Sequence, residues 1–171
     1  MRTLYTLWIS FFGICRLHSK PQDLPASKFL LGLTLLFYIA INGASLLMQF
    51  PMKDALLLTI VDTSLIVILT SSLLFITRFY SRITQTLTAV VGTNVILGIL
   101  SFPLLFWLNF YEGDMSFPVL LFWSLIAWNF VIYTHILRHA LEIDFFLCSL
   151  LTLVVYLLTY SILIQMIPLV E

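Results

Sequence analysis

Residues 55–110 constrain the chain more than any other stretch. Two apolar runs, 55–77 and 83–108, are separated by five residues, with Arg78 and Arg82 at the ends of the joint. Each run exceeds the roughly 20 apolar residues that carry a helix across a bilayer core. So short a joint makes the two helices antiparallel neighbours, and its two arginines place it on the cytoplasmic face. The hairpin also holds the one charge deep inside an apolar run, Asp62. Its Pro103 is the one proline beyond the first turn of such a run.

The rest of the chain repeats the pattern. Of 171 residues, 61% are hydrophobic and only 9% charged, against about 25% charged in a soluble domain. That is too little polar surface to cover a soluble globule, and the apolar residues fall in long runs. The expected fold is an all-α membrane protein. Five transmembrane helices, at about 27–49, 55–77, 83–108, 117–137 and 145–167, form one domain over 27–171. Residues 1–26 precede it as an amphipathic interfacial helix and a polar linker. Five of the six prolines lie at or just outside the edges of these runs, where a helix tolerates them. Ser27, Asp54 and Ser116 are placed to cap the first, second and fourth spans.

Charge fixes the threading. Arg2, Arg16, Lys20, Lys28, Arg78, Arg82 and Arg138 fall on one side, and only Lys53 falls on the other. The predicted topology therefore has a cytoplasmic N-terminus and an exoplasmic C-terminus. Phe106, Trp107, Phe110 and Tyr111 form an aromatic anchor at the exoplasmic edge. No basic patch for nucleic acid is present. Cys15 and Cys148 sit in apolar surroundings and read as reduced, buried thiols.

Residues 3–17 resemble a signal peptide only superficially. Arg2 precedes an apolar stretch, but no small-x-small cleavage site follows. At helical spacing Leu4, Leu7, Trp8, Phe11, Phe12, Ile14 and Cys15 share one broad face. Thr3, Thr6, Ser10 and Gly13 share the narrow opposite one. That pattern fits a helix lying in the interface plane or docked on the bundle or a partner. Trp8, Phe11 and Phe12 are the candidate partner face.

Within the spans the candidate polar cluster is Asp62, Asn42, Thr59, Asn94 and Asn129. Asp62 lies ~10 Å inside the exoplasmic end of its helix, counted at 1.5 Å per residue. A charge at that depth is costly unless paired or neutral, so Asp62 should be neutral, or hydrogen-bonded to Asn42 or to a threonine. Asn42 lies at nearly the same depth, and Asn94 and Asn129 lie near the midplane. Tyr38, Tyr133, Tyr156 and Tyr160 add hydroxyls. Such groups serve as a polar lane around a proton or cation site, or as hydrogen-bonding glue between helices. Thr88, Ala89, Gly92 and Thr93 make a small-residue face on the third span, with the second span as its expected neighbour. Pro103 should kink the third span.

Catalysis is not signalled. Ser71, Ser72, His135 and His139 lack a Gly-x-Ser-x-Gly or His-Glu-x-x-His context. His135 and His139, four apart, read as polar groups at a helix end, and no metal or other cofactor is expected.

The order of these features resembles the Yip family of five-pass membrane proteins. The resemblance rests on the polar stretch with Asp23 and Leu24 before the first span, and on Gly92, Thr93 and Pro103 in the third. It continues from Trp128 through His135 and Arg138 to Ala140. The aromatic-rich Asp-Leu-Tyr-Gly-Pro motif of eukaryotic members is absent, so Rab-GTPase binding does not carry over. The resemblance implies a non-enzymatic protein that works through partners. The expected function is that of an accessory, scaffold or assembly subunit in the bacterial inner membrane. Its expected partners are the lipid bilayer and other membrane-protein subunits. A small transporter or channel component using Asp62 is the alternative, and a lipid-acting membrane enzyme is the third.

Overall fold

A computed structural model describes residues 2–110 and 115–166, with side chains from Ile9 onward in the first helix. Tyr111, Glu112, Asp114, Ile167 and Pro168 lie outside the described residues, as does the Trp8 side chain. The described chain is all-helical in its regular structure, with no strand among the described residues. Its helices are α1 (Arg2–Cys15), α2 (Lys28–Leu46), α3 (Met52–Ile76), α4 (Ile83–Phe110), α5 (Ser116–Leu141) and α6 (Phe145–Met166). Single 3-10 turns, Pro21–Asp23 and Tyr80–Arg82, punctuate the two connections that precede α2 and α4. The helices α2 to α6 are long and apolar enough to cross a membrane, which is compatible with an integral membrane protein.

Local chemistry sets the ends. The Ser27 hydroxyl accepts from the Leu30 N–H at 3.3 Å, so Ser27 caps α2 as expected. The other two caps differ. α3 starts one residue after Pro51, which puts Asp54 inside its first turn. Met115, not Ser116, holds the capping position of α5. In both cases the helix begins earlier than the polar residue that was expected to start it. α4 continues through Pro103 to Phe110 as one helix. α1, α3 and α5 are followed at the same end of the bundle by residues with left-handed backbone, Leu17, Arg78 and Glu142. None is glycine, so each costs on the order of 1 kcal/mol. The gain is closure of helix-end carbonyls, as in the Phe79 N–H to Leu74 C=O bond at 2.9 Å.

Laterally, α2 packs on α3, α3 on α6, α6 on α5, α5 on α4, and α4 back on α2. That closes a five-helix ring. The short joint does make α3 and α4 touch, but α4 packs more extensively on α2 and α5. The small-residue face of α4 is also taken by a different neighbour. A methyl group at Gly92 would overlap the Phe11 ring of α1. So α1 docks on the bundle: Phe11, Ile14 and Cys15 pack inward, and Ile9 and Phe12 remain exposed.

The packing is uneven along the bundle axis. The side chains most completely withdrawn from the surface include Ile14, Leu24, Leu74, Ile132, Ile136 and Leu137. They gather at the end that carries Arg78, Arg82 and Arg138. The opposite half holds the two cavities described next.

Candidate functional site: a carboxylate between two cavities

Asp62 projects from the middle of α3 toward α2. Its Oδ2 accepts from the Tyr38 hydroxyl at 2.5 Å and from the Asn42 side-chain amide at 2.8 Å. Tyr38 and Asn42 are one helical turn apart, so a single face of α2 presents both donors. The expected Asp62–Asn42 bond is present. Tyr38 completes the clamp, and its i, i+4 spacing from Asn42 is the signal that could have placed it there. Thr59 does not join. Its hydroxyl donates to the Ala55 carbonyl of its own helix at 2.6 Å. It packs beside Gly43 of α2, where an added methyl group would stand in ordinary van der Waals contact, 3.5 Å from the Thr59 hydroxyl. Thr63 likewise bonds back to Thr59.

Asn94 and Asn129 form a second pair. The Asn129 amide donates to Asn94 Oδ1 at 2.9 Å, joining α5 to α4. Both asparagines border two cavities. The first, about 290 Å³, lies between α2, α4 and α5, with Tyr38, Asn42, Ser45 and Ser101 in its wall. The second, about 250 Å³, lies between α3, α4, α5 and α6, with Asp62, Tyr133, Tyr156 and Tyr160 in its wall. Four of the five candidate polar residues thus fall into two hydrogen-bonded pairs on the walls of two neighbouring spaces.

The second space stops on packed side chains toward the arginine-bearing end. Tyr133 is buried and shares a 2.7 Å hydrogen bond with the Thr70 hydroxyl. Thr134 donates to Thr152 at 3.2 Å. Beyond them lie Ile136, Leu137 and Leu74. Chemically the site can hold a polar or cationic group beside Asp62. The serines Ser71 and Ser72 lie nine and ten residues further along α3, outside both cavity walls. His135 contacts the Ser19 carbonyl at 3.1 Å, and its ring meets that of His139 edge-on at 4.6 Å. No group of three or more His, Cys, Asp or Glu side chains among the described residues could hold a metal ion.

The arginine-bearing end is more ordered than a polar linker suggests. The Gln22 amide donates to the His139 carbonyl at 2.5 Å, and the Gln85 amide donates to the Leu24 carbonyl at 2.8 Å. The Trp128 indole donates to the Cys15 carbonyl at 3.2 Å. Leu24 inserts its side chain into the core. Arg82 reaches the Ala140 carbonyl at 3.1 Å and pairs with Glu142 at 2.5 Å. Burial pushes the Cys15 thiol up to about 11, and Cys148 is also buried and free. The chain matches no protein-family model, no curated protein and no solved structure.

Proposed function

We propose that this chain is a non-enzymatic integral membrane protein that acts as an accessory or scaffold subunit of a membrane assembly. In this reading it lies in a bacterial inner membrane, with its N-terminus cytoplasmic and its C-terminus periplasmic. The observation that carries it is the division of the bundle. Asp62 is held by two donors from α2, and the half beyond it is filled by Ile132, Ile136, Leu137 and Leu74 and closed by α1. Polar groups so placed hold helices together, and a filled half-bundle gives a solute no passage. Ile9 and Phe12 on the outer face of α1 then offer a surface to another subunit. The resemblance to Yip proteins points the same way.

The second reading is a transport component, and the cavity bordering Asp62 favours it. One comparison separates the two. Gently solubilised native membranes are run on a non-denaturing gel beside the purified chain reconstituted in vesicles. The scaffold reading expects migration above the monomer mass in native membranes, brought to the monomer by Phe12→Ser. It expects no effect of the reconstituted chain on a proton or sodium gradient. A monomer in native membranes, together with gradient dissipation abolished by Asp62→Asn, selects the transport reading. Reporter fusions after Gln49, Tyr80, Asp114 and His139 should alternate sides, and two successive fusions on one side would overturn the threading.

A further inference from the structure

We infer that the arginine-bearing end of the bundle holds a binding site for a phosphate-diester group, and that its ligand is the headgroup of an anionic lipid. A cavity of about 570 Å³ opens there between the linker, the α3–α4 joint and the α5–α6 joint. Its wall carries Lys20, Arg82, Arg138 and His139. The wall is built rather than loose. Arg82 is fixed by the Ala140 carbonyl and by Glu142, and Gln22 is fixed by the His139 carbonyl.

The charge balance selects the ligand. Arg82 and Glu142 cancel as an ion pair. Lys20 and Arg138 make no ion pair among the described residues and face two further acids, Asp144 in the wall and Asp23 just outside it, whose carboxylate accepts from the Lys20 backbone N–H at 2.8 Å. Among the wall residues alone the surplus is one positive charge, which matches the single negative charge of a phosphodiester. Basic pockets between helices at a membrane edge are suited to such headgroups.

The source of the phosphate follows from what adjoins the cavity. Asp144 leads directly into α6, whose first residues Phe145, Phe146 and Leu147 are all exposed. Leu150 and Val154 continue an exposed apolar stripe at helical spacing along the same helix. A lipid with its phosphate between Lys20 and Arg138 can lay an acyl chain on this stripe, whereas a free phosphate would leave it unused. The inference goes beyond the accessory-subunit reading and rests only on the bundle lying in a bilayer. Retention of the chain in the membrane pellet after alkaline carbonate tests that premise separately.

The experiment uses the full chain in a neutral detergent. It is titrated with phosphatidylglycerol, with phosphatidylcholine and with inorganic phosphate, and binding is read by native mass spectrometry and by the unfolding midpoint. Phosphatidylglycerol should bind about thirtyfold tighter than phosphatidylcholine, at about 1 kcal/mol from each of two unpaired cations near the surface. The double variant K20Q/R138Q should reduce that ratio to about twofold or less, and K20R/R138K should preserve it. Should the double variant fail to fold, R138Q alone, at an exposed position, should lower the ratio about fivefold. Inorganic phosphate that raises the midpoint and displaces phosphatidylglycerol would overturn the lipid as the source. Equal affinity for the two lipids, or a folded K20Q/R138Q chain that keeps the preference, would overturn the site itself.

Discussion

Replacing Asp62 by leucine removes an acceptor that two α2 side chains share. The Tyr38 hydroxyl and the Asn42 amide, at 2.5 and 2.8 Å, both lose their bond to Oδ2. Hydrogen bonds between membrane helices average about 0.6 kcal/mol and reach about 1.7. The pair therefore contributes roughly 1–3 kcal/mol to the seating of α2 on α3. For a chain of this size that corresponds to a fall of roughly 2–12 °C in the unfolding midpoint. Asp62→Asn keeps the shape and one acceptor oxygen, so its loss should stay below about 1 kcal/mol. The assay is thermal unfolding in a mild detergent, followed by tryptophan fluorescence and by size-exclusion recovery. A cycle with Tyr38→Phe isolates the bond. In the Asp62→Leu background Tyr38→Phe should cost almost nothing, and the coupling should be about 0.6–1.7 kcal/mol. An unchanged midpoint for Asp62→Leu, or zero coupling in the cycle, would refute the clamp. A folded and assembled Asp62→Asn protein that has lost activity would refute the scaffold reading, because the clamp alone does not need a charge.

Two further predictions concern α1. Gly92→Ala should destabilise the chain by about 1–3 kcal/mol, the usual cost of overpacking, and Phe11→Ala in the same chain should recover part of that loss. A folded Gly92→Ala protein with an unchanged midpoint would show that the ring does not seat on α4. Cys15 titrates near 9.0 when unfolded and is raised to about 11 by burial. The folded state thus holds its proton more tightly, and this contribution is complete below pH 9 and lost as pH rises from 9 to 11. Maleimide labelling of Cys15 at pH 7.5 should be slow until the chain is unfolded, and equal rates in the two states would contradict its docking.

The five apolar helices and most of their ends were legible because each span announces itself by length and each joint by charge. The Asp62–Asn42 bond was legible by counting depth from a shared end. The lateral order was not. Apolar helices in a bilayer gain little from hydrophobicity against one another, so hydropathy carries no record of which helix touches which. The small face around Gly92 told that something approaches closely, and the short joint suggested α3; the occupant is Phe11, far off in sequence. Tyr38 was hidden because a tyrosine within a span reads equally as a membrane-edge anchor. Leu24 was hidden because one buried leucine in a twelve-residue polar stretch gives no period.

The seat of the N-terminal segment has a consequence for how the chain is made. Trp128, His135 and His139 meet Cys15, Ser19 and Gln22 across separations of 113, 116 and 117 residues. At translation rates of about 5–20 residues per second, the end of the first segment waits roughly 6–23 s for the α5 groups that fix it. Phe11 has no seat until Gly92 of α4 is made, and Cys15 gains its bond from Trp128 only with α5. An apolar helix too short to cross can spend the wait lying on the membrane surface. The bonds from α5 to residues 15–22 then act as a latch on the first segment, one that closes only after α5 has been made.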